Sequence, residues 1–126
     1  MTSQLALEAI KANKQKISDL ISFFSKSIDE NNGEKEILNI FHKLSFYSSE
    51  IFISEELIMK KYEISSLSEH ILEHKDFVDK MKYFQQEYEN KNEGLCVELL
   101  NYLKKWHKTH ILKLDEDIIN SITSKK

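Results

Sequence analysis

The sequence of 126 residues has no proline, no arginine, one cysteine and only two glycines, Gly33 and Gly94. A β-sandwich or α/β fold of this length turns the chain many times, and tight turns draw on glycine and proline, so both classes are all but excluded. Phosphate loops and dinucleotide fingerprints need several glycines in one short stretch and are excluded as well. All 18 basic residues are lysine, which rules out bidentate guanidinium clamps on phosphate or guanine. The formal charge of -3 argues against nucleic acid, whose binding is driven by basic patches. The lone Cys96 makes neither an internal disulfide nor a thiolate metal cluster, and it reads as a small apolar residue. No apolar run approaches the roughly 18 residues of a membrane span, and the first residues, MTSQLALEAIKANK, lack a signal-peptide pattern. A single domain over 1–126, off the membrane and cytoplasmic, is the expectation.

What the chain does have is helical spacing throughout. The breaks are three. Asn31-Asn32-Gly33 reads as a helix stop with glycine as C-terminal cap. Ser65-Ser66-Leu67-Ser68-Glu69 reads as a junction with a capping box between Ser66 and Glu69, and Asn90 to Gly94 is the third break. Four segments remain, near 4–30, 34–63, 67–90 and 95–123, each able to cross about 35–40 Å at about 1.5 Å per residue. Long amphipathic helices joined by short loops predict an all-α, up-down-up-down antiparallel four-helix bundle.

Apolar positions at steps of three and four give the inward stripes. They run Leu7, Ile10, Lys14, Ile17, Ile21, Phe24, Ile28 in the first segment, and Phe41, Leu44, Ser48, Ile51, Glu55, Ile58, Tyr62 in the second. The third gives Leu67, His70, His74, Phe77, Met81 and Phe84. The fourth gives Leu99, Leu103, Trp106 and His110, then drifts toward Leu114 and Ile118. Charged and imidazole side chains thus interrupt all four stripes, at Lys14, Glu55, His70 with His74, and His110. A charge in a helical core is costly unless it is paired or bound to metal. His70 and His74, four apart, leave one face of one helix. With His110 and Glu55 they make a nitrogen and oxygen donor set suited to iron, manganese or zinc and not to calcium.

Three stretches carry a further signal. Glu55 with Met59, His70 with His74 and Phe77, and Trp106 with His110, Ile111 and Asp115 fit E-x3-M, H-x3-H-x2-F and W-x3-H-I-x3-D, in that order. In these spacings the chain resembles the hemerythrin family. The resemblance implies a non-haem iron site inside a four-helix bundle, in which His70, His74 and His110 match three histidines on one iron. Glu55 and Asp115 match two carboxylates that bridge an iron pair. Asp115 rests on the resemblance alone, because five α-helical residues turn it about 140° from His110.

Two family positions differ. Lys14 and Ile51 stand where the second iron's histidines would be, so one iron is expected rather than two. Lys14 is expected to place its ammonium between Glu55 and Asp115 as a substitute charge. His107 could lean toward the same region as a replacement ligand or a hydrogen-bond donor, while His42 reads as structural. A single iron supplies one electron, so sensing or handling of dioxygen, peroxide or nitric oxide is expected over reversible dioxygen carriage. The alternatives are a di-iron dioxygen-binding protein using His107, an iron-dependent peroxide-consuming enzyme, and a metal-free interaction bundle. No catalytic residue is assigned.

Overall fold

The structure, a computed structural model, describes residues 3–124, apart from the side chains of 3 and 111–115. These residues are helical nearly throughout, with no strand among them. Helix α1 spans Ser3–Asp29 and α2 Gly33–Phe46; a π-helical segment, Tyr47–Ile51, then leads without a break into α3, Phe52–Lys61. Helix α4 is Leu67–Glu89, and α5, Leu95–Trp106, continues through a second π segment, His107–Leu114, into α6, Asp115–Ser124. Counting α2 with α3 and α5 with α6, the described residues form four helical rods whose limits fall close to the segments read from sequence.

The rods end alike. Asn31, Glu63 and Lys91 adopt positive φ (61°, 52° and 58°), and the next residue's N–H reaches back five residues: Asn32 to Ser27 O, Ile64 to Met59 O, Asn92 to Glu87 O. This is the Schellman closure, made with residues other than glycine. Two sequence expectations are corrected here. Gly33 is not the cap; it opens α2, and a Cβ there would meet Ile28 Cγ1 at 2.9 Å and Cys96 Sγ at 3.3 Å. Close packing of rods, rather than backbone freedom, requires glycine at that point. Ser66 does precede α4, but its hydroxyl makes no capping hydrogen bond, so the capping box with Glu69 does not form.

Two apolar clusters fill the interior. The larger runs from Ile17 to Phe24 on α1 through Ile37 to Leu44 on α2, Phe77 to Phe84 on α4 and Leu95 to Trp106 on α5. The smaller joins Leu7 and Ile10 with Ile58, Met59 and Ile64, and with Ile118 and Ile122. Fully buried Phe24, Phe77, Phe84 and Leu103 each contribute roughly 1.5–3 kcal/mol of apolar burial. Between the two clusters, every rod carries a polar interruption: Lys14 on α1, Glu55 on α3, His70 and His74 on α4, His110 in the second π segment. Along the second rod the inward position is Tyr47 and not the expected Ser48, because the wider π turn shifts the register before Ile51, Glu55 and Ile58 resume it.

Candidate metal centre

Glu55, His70, His74 and His110 are all buried. Helix α4 is regular, so its two histidines share one face a turn apart. Glu55 lies one turn beyond the first π segment, and His110 sits within the second. π turns are rare inside α-helices and concentrate at functional sites. Here they adjust the register of two rods so that side chains from three rods converge.

The converging atoms are Nε2 of the histidines and one oxygen of Glu55. His74 Nε2 lies 3.1 Å from Glu55 Oε1 and 3.2 Å from His110 Nε2. His70 and His110 bring Nε2 to 3.5 and 3.6 Å from the same oxygen. Burial alone would push the Glu55 carboxyl up, but hydrogen bonds to His110 and His74, and their charge, outweigh it and hold the group well below the usual carboxylate range. The opposite nitrogens are engaged too. His74 Nδ1–H donates to Glu56 Oε2 at 2.7 Å, and His110 Nδ1–H donates to Glu73 Oε2 at 2.9 Å. Phe52 stacks parallel on His74, with centroids 4.0 Å apart, and Trp106 stacks on His110 at 4.9 Å.

With the Nδ1 protons committed outward, neutral His74 and His110 turn Nε2 lone pairs toward an anionic oxygen. A set of acceptors facing one point is held together by a cation, or by protons shared among its members. Glu55, His70 and His110 each offer a ligand atom within 4.8 Å of the other two, so these buried residues could hold a metal ion. His74 Nε2 abuts two of those three.

The remaining sequence candidates separate from this cluster. The Lys14 ammonium, expected against Glu55, lies instead 3.4 Å from Glu116 Oε2; the two side chains are 20% and 55% exposed. A lysine at the edge of a core keeps its head hydrated by reaching outward, and a solvated carboxylate serves as its partner. Ile51 is buried in the larger apolar cluster with Ile17 and Tyr47 and supplies no donor. His107 is half-buried, and burial together with the nearby Lys14 charge lowers its pKa. His42 is exposed, and Cys96 packs against the larger cluster. The Asp115 side chain lies outside the described residues. Its backbone follows the second π segment, however, so the α-helical angle that separated it from His110 does not apply.

Sequence reasoning missed Glu56, Glu73 and Phe52. Each is adjacent in sequence to an inward position, and a search for carboxylates flanking candidate histidine ligands would have flagged the two glutamates. Among the described residues no helix is long and apolar enough to cross a membrane. Comparison of the chain with protein-family models, curated proteins and solved structures gives no match.

Proposed function

We propose that this chain is a hemerythrin-type, antiparallel up-down-up-down four-helix bundle that binds one iron ion and senses or handles dioxygen, peroxide or nitric oxide. The observation that carries the reading is the convergence of Glu55, His70, His74 and His110, with acceptor atoms aimed at one another inside an otherwise apolar interior. The antiparallel arrangement draws support from the clusters. The start of α1 meets the ends of α3 and α6, while its second half meets the starts of α2 and α5. The three spaced motifs supply the family, and nitrogen and oxygen donors suit iron.

His70, His74, His110 and Glu55 would hold the ion, with Asp115 as a further ligand. Bound there, iron would supply a one-electron redox centre open to small ligands. The protein's own part is to exclude bulk water with Phe52, Phe77 and Trp106, and to keep the imidazoles oriented before the ion arrives. One ion is favoured over two because Ile51 offers no donor and Lys14 is paired with Glu116.

Elemental analysis of protein loaded anaerobically with Fe(II) tests the reading. One iron per chain in the wild type, and its loss in His74→Ala together with the metal-dependent gain in thermal stability, is the expected result. Undiminished iron in His74→Ala would refute the ligand set. Two irons per chain would refute the mononuclear assignment and make His107 the first replacement ligand to examine.

A further inference from the structure

Glu56 and Glu73 stand outside the four converging residues, yet they make the shortest polar contacts to His74 and His110, at 2.7 and 2.9 Å. Each reaches across to another rod. Glu56 on α3 meets His74 on α4, and Glu73 on α4 meets His110 in the second π segment. Each is also next in sequence to a buried member of the cluster, Glu55 or His74. Successive helical residues point about 100° apart, so one of each pair enters the interior while its neighbour lies at the rim. The rim position is visible in the exposure of the two carboxylates, 29% for Glu56 and 42% for Glu73.

The chemistry of the contacts fixes the tautomers. An ionised carboxylate can only accept, so the proton of each imidazole sits on Nδ1 and the Nε2 lone pair is left for the interior. The aromatic stacks hold the ring faces, with interplanar angles of 4° for Phe52 on His74 and 9° for Trp106 on His110. Face and edge together leave each ring one orientation. A carboxylate behind a metal-binding imidazole also makes the ring a stronger donor.

We infer that Glu56 and Glu73 are positioning residues of the metal centre: through Nδ1–H of His74 and His110 they aim Nε2 at the bound ion and set how tightly it is held. The inference rests on the metal-binding reading and adds which residues beyond the ligands determine affinity. A competing account is a diffuse acidic field, since Glu73, Asp76 and Asp79 line one surface groove beside Tyr102 and Trp106. Asp79 separates the two accounts, because its charge lies in that groove without a histidine contact.

The test is titration of the full-length protein with Co(II) at one pH, followed through the d–d absorption of the bound ion. Wild type is compared with Glu56→Gln, Glu73→Gln, Glu56→Leu, Glu73→Leu and Asp79→Asn. Glutamine still accepts from Nδ1–H but carries no charge, whereas leucine does neither. The leucine variants should bind Co(II) about ten- to a hundredfold more weakly, with an altered d–d spectrum. The glutamine variants should fall between, with a less altered spectrum, and Asp79→Asn should match wild type. Because both glutamates are at the rim, the metal-free variants should melt close to wild type, which distinguishes positioning from a fold defect. Wild-type affinity in the leucine variants overturns the inference, as does a loss in Asp79→Asn equal to that in Glu73→Gln. A wild-type chain that takes up no Co(II) overturns the metal-binding reading itself, and the inference with it.

Discussion

On the side of the interior formed by α3, α4 and the second π segment, four ionisable side chains bring their polar atoms within 3.6 Å of one oxygen or of each other. On the side facing α1, between the first π segment and Ile17, the space is closed by Tyr47 and Ile51, with Lys14 and His107 at its edge. The contrast is clearest along the second rod, where Ile51 and Glu55, four residues apart, are both buried and chemically opposite. Burying isoleucine stabilises the fold by roughly 1.5–3 kcal/mol without help. Burying a carboxylate costs free energy unless partners or a cation offset it. The α1 side therefore contributes stability unconditionally. The histidine side contributes it only when its charges are matched.

The comparison can be broken first on the apolar side. Phe77 is fully buried and packs edge-on against Phe52 and at 4.4 Å against Trp106, the two rings that cover His74 and His110. Phe77→Ala should cost about 3–5 kcal/mol in urea unfolding of the metal-free protein. A loss below 1 kcal/mol, flagged here as roughly the scale of a surface change, would mean that this cluster does not support the histidine rings.

The next effect belongs to the polar side. Glu55→Gln keeps the shape and removes the anionic donor, so Co(II) or Fe(II) affinity should fall by more than about a hundredfold, beyond the range of outer-shell partners. Calorimetric titration measures it, and unchanged affinity would remove Glu55 from the ligand set.

Making the two sides alike is the third change. Ile51→His places an imidazole in the apolar cluster, which should cost about 1–3 kcal/mol in the metal-free protein. Combined with Lys14→His, it should raise the iron content from one to two per chain. A double variant that still binds one iron would mean that the α1 side cannot be converted by ligand type alone.

The smallest effect concerns Lys14→Met. The Lys14–Glu116 pair is solvated, so the substitution should change stability by less than about 1 kcal/mol and leave metal affinity unchanged. It should also raise the His107 pKa toward its ordinary value, because a neighbouring positive charge disfavours a second one; burial keeps part of the depression. NMR titration of the His107 ring follows this, and a fall in its pKa would show that Lys14 acts on it in another way.

Legibility from sequence followed regularity. Helix α4 has no π turn, and His70, His74, Phe77, Met81 and Phe84 are buried as their spacing predicts. On the second rod, spacing placed Ser48 inward where Tyr47 is, because an i→i+5 turn leaves no mark in composition. Lys14 sits in mid-stripe, yet a long flexible side chain can leave a stripe that its Cα occupies. Glu56 and Glu73 were not visible as partners, since one-helix periodicity says which residues face inward but not which edge of a neighbouring rod they meet. Gly33 was recognised as special for the wrong reason: the neighbours that exclude a Cβ, Ile28 and Cys96, are contributed by other helices.

The two π segments give the chain an unusual sensitivity to length. Each is, in effect, a one-residue surplus absorbed inside a continuous rod. Deleting one residue from Tyr47–Ile51 would restore α geometry and swing everything after it by about 100°, with an advance of about 1.5 Å. Glu55 would leave the interior although no site residue had changed. The same deletion within α1 or α5, far from the centre, would leave the phase of α3 and α4 untouched. Spacing within these rods, as much as residue identity, is thus what a functional variant of this protein must preserve.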